Sequence, residues 1–204
     1  MMIRYCLLLA PILGVVAADP YKEDFNTATE VPKMIMVLNG EFSIADDAGN
    51  KTLVVAAEPL DTYTALFGPA TKDNMMVRGR AKGESKGRRY PVYGYGLGGV
   101  TGTVLRLSGA KKALELVKNE ESLGSVSFPF PADKWVWFHL QIRPTGTTWI
   151  VEGKAWVEGT EEPKEWMLSV PFDKEPVSGR ASCWAIPYAG FPVIFDDFVV
   201  DSLK

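Results

Sequence analysis

The stretch Lys154-Ala155-Trp156-Val157-Glu158-Gly159-Thr160-Glu161-Glu162-Pro163-Lys164-Glu165-Trp166-Met167-Leu168-Ser169 reads as two extended segments joined by an acidic turn, each segment carrying a tryptophan. Gly159 and Pro163 punctuate the turn, the carboxylates solvate it, and Trp156 and Trp166 stand where each segment would re-enter a packed sheet. The signature is that of a β-hairpin, so the stretch predicts antiparallel sheet.

Outward from it the same punctuation recurs. Short apolar runs separated by Gly, Pro, Asn or Asp predict strands near Glu41 to Ile44, Thr52 to Ala56, Tyr63 to Phe67, Met75 to Lys82, Val92 to Leu97 and Val104 to Leu107. More follow near Ala113 to Lys118, Ser122 to Phe128, Trp135 to Arg143, Thr148 to Val157, Glu165 to Val170, Ala181 to Ile186 and Val193 to Val200. Such spacing means a sandwich or barrel. Helical periodicity is nearly absent, Ala110 to Asn119 being the one ambiguous segment. No repeat, long linker or composition break divides residues 19–204, which read as a single domain. Alternation is clearest from Trp135 to Arg143, where Val136, Phe138, Leu140 and Ile142 form one face and Trp135, Trp137, His139, Gln141 and Arg143 the other. A sheet facing a carbohydrate presents such an aromatic and polar face, and so does a solvated face capped by a second layer.

Arg4 precedes an apolar run from Tyr5 to Val16, broken only by Pro11 and Gly14, and Val16-Ala17-Ala18 stands ahead of Asp19. That is the layout of a cleavable signal peptide over residues 1–18. A membrane-spanning anchor needs roughly 20 apolar residues, and this run is shorter. Cleavage near Ala18 would release a secreted or periplasmic chain without a transmembrane segment. Cleavage also removes Arg4, so 22 basic and 25 acidic residues become 21 and 25, a formal charge of −4. The acidic balance disfavours nucleic acid as a partner. Only Cys183 of the two cysteines lies beyond the leader, which rules out an intramolecular disulfide, and its apolar neighbours read as those of a buried, inert thiol.

With these residues on the page, the chain resembles the concanavalin A-like lectin/glucanase superfamily in its LamG-like jelly-roll form. It is similar to secreted bacterial domains with a Trp-x-x-Gly-x-x-Glu-Pro-x-x-Trp hairpin, matched here by Trp156, Gly159, Glu162, Pro163 and Trp166. The resemblance extends to Asp24-Phe25-Asn26, Arg78, Tyr93-Gly94 and the run Phe195 to Val200. It implies an antiparallel β-sandwich of two stacked sheets whose first and last strands lie side by side. Asp24 and Asn26 would then approach Asp196 and Asp197, a grouping that raises Ca²⁺ as a ligand. Calcium takes about six to eight oxygens, and neighbours on a strand point to opposite faces, so only one of Asp196 and Asp197 would serve a given site. The alternative is that one caps a turn and the other is solvated.

Gly94-Tyr95-Gly96-Leu97-Gly98-Gly99 matches a dinucleotide fingerprint formally, but no helix follows and the pattern is all-β. It reads instead as a strand with side chains on one face only, open to another backbone or a flat ligand. Retaining glycosidases need two carboxylates about 5 Å apart across one bond. No strand here carries such a pair, and Glu115 and Glu152 stand alone. His139 is the sole histidine, without a nucleophile-elbow pattern, which favours a structural or ligand-contacting imidazole. Arg78, Arg80 and Lys82 share a strand face, and Lys86 to Arg89 fall in a loop. The plain reading is a charged, aggregation-resistant edge; the sharper one is a glycan clamp with Arg78 and Arg80 as donors and Trp137 or Tyr95 as stacking platform. Asn50-Lys51-Thr52 is a glycosylation sequon, meaningful in a host that glycosylates exported proteins. The expectation is a secreted, non-catalytic domain binding carbohydrate or a cell-surface glycan. The alternatives are a glycan hydrolase of glycosidic-bond or keto-disaccharide type, and a purely structural sandwich.

Overall fold

The structure, a computed structural model, describes residues 19–57, 61–188 and 190–203. The leader reading falls on residues 1–18 and lies outside them. The strands are β1 (Tyr21–Glu23), β2 (Met36–Asn39), β3 (Phe42–Asp47), β4 (Asn50–Val55), β5 (Tyr63–Thr71), β6 (Met75–Gly83), β7 (Val92–Leu97) and β8 (Thr103–Ser108). They continue as β9 (Ala113–Lys118), β10 (Glu121–Ser127), β11 (Val136–Thr145), β12 (Thr148–Val157), β13 (Leu168–Phe172), β14 (Gly179–Ile186) and β15 (Val193–Ser202). A single 3₁₀ turn, Gly99–Thr101, interrupts them, and no α-helix occurs among the described residues. The ambiguous segment at Ala110 to Asn119 contains strand β9: Leu114 and Leu116, two residues apart, join the core between the sheets, and that packing overrides its helix-forming composition.

Two antiparallel sheets stack face to face. One has eight strands in the order β13-β12-β11-β6-β15-β4-β3, with β1 also on β15; the other has seven, ordered β10-β9-β8-β7-β14-β5-β2. Val136, Phe138, Leu140 and Ile142 of β11 point inward, as their alternation requires. The core is strongly aromatic around Tyr95, whose ring lies 5.6 to 6.3 Å from those of Phe67, Phe138, Phe195 and Phe198. Its hydroxyl crosses to the opposite sheet and donates to the Arg80 carbonyl at 2.7 Å. Gly79 makes room for it, since a Cβ there would fall 2.6 Å from the tyrosine ring. Tyr95 is 0% exposed, which corrects its assignment as a stacking platform. A phenol this large satisfies its hydroxyl inside the sandwich and leaves no face for a ligand.

β15 is the axis of the larger sheet. Along one side it pairs with β6; along the other it pairs first with β4, through Val193 to Phe195, and then with β1, through Phe198 to Val200. The first and last strands are therefore neighbours, Tyr21 opposite Val200. The change of partner coincides with a bulge between Asp196 and Val199, where Asp197 adopts φ 54°.

The diagnostic hairpin differs from its sequence reading. β12 and β13 do pair, but Gly153 faces Leu168, and Trp166 precedes the strand rather than belonging to it. Residues 158–167 form a long connection that folds back over the outer surface of the eight-stranded sheet.

Candidate functional site

The outer surface of the eight-stranded sheet gathers most of the residues singled out above. Antiparallel register places Trp137 between Arg80 on β6 and Trp156 on β12, and His139 between Arg78 and Lys154. Side chains at these positions share a face because each pair is directly opposite across a ladder. The Trp137 and Trp156 rings stack at 6.2 Å with 14° between their planes. The Arg78 guanidinium lies 4.9 Å from the first ring and 5.1 Å from the second. Arg78, Trp137, Lys22, Asp24, Asp197 and Asp201 line an open groove of about 700 Å³. Two separate expectations, a basic-aromatic clamp and a pair of terminal acids, thus meet in one depression.

Arg80 stands beside that groove with a different role. Its guanidinium bonds Asp196 at 2.7 Å and Glu158 at 2.6 Å, and approaches Asp197 at 2.8 Å. It also lies 4.6 Å over the ring of Trp135. Burial opposes its charge, but Asp196, Asp197 and Glu158 together hold its pKa above the ordinary value. Asp196 is 1% exposed and accepts a further bond from Asn50 Nδ2 at 2.6 Å. Asp197 is pushed above the usual carboxylate range by burial and by Asp196, against the pull of Arg80.

The calcium grouping does not fit. Asp196 spends Oδ2 on Arg80 and Asn50 and Oδ1 on the Asp197 amide, and Asp24 Oδ1 accepts from the Asn26 amide in a turn. No cluster of three or more His, Cys, Asp or Glu side chains suited to a metal occurs among the described residues. The positive charge between the two aspartates is the guanidinium itself. Strict alternation would turn Asp196 and Asp197 to opposite faces; the bulge breaks that alternation and lets both reach Arg80.

The acidic connection supplies residues that the sequence reading took to be solvated. Glu162 sits 2.9 Å from Lys154 Nζ, 3.3 Å from Arg78 and 3.3 Å from His139 Nδ1. Burial raises its pKa, but Lys154, His139 and Arg78 outweigh that and hold it below the ordinary carboxylate range. Trp166 closes the arrangement, edge-on to His139 at 5.0 Å and 4.7 Å from Lys154 Nζ. His139 Nε2 is buried without a partner, and burial lowers the imidazole pKa despite Glu162. A carboxylate in a turn is ordinarily solvated, and the one sequence signal against that here was the tryptophan on either side of it.

Other candidates resolve as packing. Gly94 is demanded by β8, since a Cβ there would lie 2.0 Å from the Leu105 carbonyl oxygen. Glu115 is buried against Arg106 and Lys111, and Glu152 against Arg143 and Gln141. Lys86 and Arg89 form a small bridged turn rather than an open loop. A second depression, of about 60 Å³, lies on the seven-stranded sheet beside Arg106, Glu120 and Trp184. Cys183 is buried, with its thiol pushed up to about 12 by burial.

No family model matches the chain, and no curated protein matches it in sequence. Solved structures do match in shape. A Bacillus subtilis protein of unknown function with a galectin-like fold is 13% identical, covering 93% of this chain and 99% of its own, with a TM-score of 0.64. The carbohydrate-binding module CBM66 from Bacillus subtilis is 12% identical over 83% of this chain and 96% of its own, with a TM-score of 0.56. The lectin UEA-II complexed with galactose is 9% identical over 93% of this chain and 100% of its own, with a TM-score of 0.57. At such identities the likeness shows the fold alone, an antiparallel jelly-roll β-sandwich of two stacked sheets. No helix among the described residues is long and apolar enough to cross a membrane.

Proposed function

We propose that this chain is a secreted, LamG-like, non-catalytic domain that binds carbohydrate in the groove on the eight-stranded sheet. The observation that carries the reading is that Arg78 and Trp137 line one open groove together with Asp24 and Asp197. Sugars need flat apolar surface against their C–H faces and directional donors and acceptors for their hydroxyls. Trp137 supplies the first, and the guanidinium and carboxylates supply the second. Shape kinship with a carbohydrate-binding module and a lectin supports the same reading. The leader-like residues 1–18 support the proposal of export.

Polysaccharide pull-down and calorimetry test it. Trp137→Ala and Arg78→Ala should each weaken binding by about ten-fold or more, as truncation of a central aromatic or arginine anchor does. Binding undiminished in both variants would refute the groove. A hydrolase on this fold is the alternative, and it needs two unencumbered carboxylates across the groove. Asp197 is ion-paired with Arg80, which weighs against it. Release of reducing ends from a bound polysaccharide would reverse that judgement.

A further inference from the structure

The outer sheet surface contains a second cluster of charged groups, which shares only Arg78 with the groove, at the point where the acidic connection lies against the strands. Three groups able to carry positive charge, Lys154, Arg78 and His139, converge on the single carboxylate of Glu162. Lys154 is almost entirely buried, and its ammonium also donates to the Pro163 carbonyl at 2.8 Å. With His139 neutral, two cations face one anion. The carboxylate belongs to no strand: it is carried by residues 158–167, which pair with no neighbouring strand. Glu162 and Pro163 tie the middle of that connection to the sheet, while the Glu158 amide bonds the Trp135 carbonyl at its start. Moving Glu162 aside would therefore break no ladder hydrogen bond.

Two further features define what could take its place. Arg78 pairs with Glu162 and also lines the groove, so the two sites share a wall. His139 Nε2 is buried and unpartnered, and the Trp166 ring lies across the imidazole. A carboxylate arriving from the groove would meet the same donors that now hold Glu162. Trp166, at 74° to the imidazole and 4.7 Å from Lys154 Nζ, walls the same set of donors.

We infer that Glu162 is an internal stand-in for the carboxylate of an acidic sugar, and that Lys154, Arg78, His139 and Trp166 form a subsite for a uronate residue of a bound polysaccharide. The inference rests on the groove being a glycan site and narrows its ligand to carboxylate-bearing polymers. A neutral sugar gains nothing there, because displacing Glu162 without replacing it strands Lys154 in a buried position. Competition with Glu162 makes the connection an autoinhibitory contact that a uronate relieves.

The test measures the secreted chain by calorimetry against polygalacturonate, the same polymer after carboxyl reduction, and dextran sulfate. The intact protein should prefer polygalacturonate to its reduced form by about ten-fold, the margin expected when one side leaves a buried charge unpaired. Glu162→Gln should raise that ratio about five-fold or more, since the competing charge is gone and the side chain keeps its size. Lys154→Gln should remove the preference, and it decides the matter if Glu162→Gln fails to fold. A ratio unchanged by both variants overturns the inference, and so does dextran sulfate binding as tightly as polygalacturonate. If both forms of the polymer bind equally and Trp137→Ala loses both, the groove stands and the uronate subsite falls. If no polymer binds to the intact protein, both fall.

Discussion

Replacing Arg80 by Met removes the guanidinium from between Asp196, Asp197 and Glu158 while keeping a stem of similar length. Asp196 is then left 1% exposed with a full negative charge and only the Asn50 amide and the Asp197 N–H as partners. Removing one member of a buried ion pair costs about 3 to 5 kcal/mol, because the partner's desolvation is no longer offset. The two surviving hydrogen bonds pull the expectation to the lower end, and loss of the contact with the Trp135 ring adds about 0.5 to 1 kcal/mol back. A total near 3 to 4 kcal/mol corresponds to a fall in Tm of about 6 to 16 °C at this size. Urea denaturation followed by circular dichroism gives the loss directly. Asp196→Asn in the Arg80→Met background should recover much of it, since the stranded charge is then absent, giving a coupling of about 1 kcal/mol or more. A loss below about 1 kcal/mol, or strict additivity of the two substitutions, would refute the account of Arg80 as the cation of this cluster. The same account expects millimolar calcium or a chelator to leave Tm unmoved.

Gly94→Ala places a methyl 2.0 Å from the Leu105 carbonyl oxygen, so β7 and β8 must separate, at a cost of about 3 kcal/mol; a fully stable variant would contradict the close approach. Gly49→Ala meets no atom within 4 Å and suffers only from its φ of 89°, so its loss should stay near 1 kcal/mol in the same denaturation assay. Burial holds the His139 pKa below its ordinary value, so the folded chain binds fewer protons there than the unfolded one. Stability therefore falls as pH drops from roughly 6.5 through the folded pKa, and again as Glu162 protonates below the usual carboxylate range. His139→Gln should flatten the first of these slopes, and an unaltered pH profile would show that the imidazole is not responsible. Cys183, buried with its thiol raised to about 12, should resist an aromatic disulfide reagent until the protein unfolds; rapid labelling of the native state would contradict that burial.

Alternation made the long strands readable, because a half-buried strand must place apolar side chains on every second position. The inward set on β11 and the shared face of Arg78, Arg80 and Lys82 follow from that rule alone. β1 and β2 escaped it, being three and four residues long, and β2 is exposed throughout. Tyr95 was misplaced for a different reason. Periodicity put it opposite Gly94 and Gly96, but which of those two faces meets the other sheet is decided by tertiary packing. Asp196 and Asp197 were read as alternating, and a backbone bulge with φ 54° leaves no mark in side-chain identity. Glu162 reaches His139 across 23 residues of sequence, a contact created only when the connection folds over the sheet. The groove is half legible: Arg78 and Trp137 belong to one expected group, Asp24 and Asp197 to another, Lys22 and Asp201 to neither, and the adjacency of β1 and β15 joins them.

β15 receives β6 on one flank and both β4 and β1 on the other, and it is the last strand along the chain. During synthesis, then, β1 waits without its partner until residues 193–202 have left the ribosome, and the larger sheet has a gap at its middle until that moment. Such late, long-range closure makes for slow acquisition of structure, because the cost of closing the long loops is met before the contacts that reward it exist.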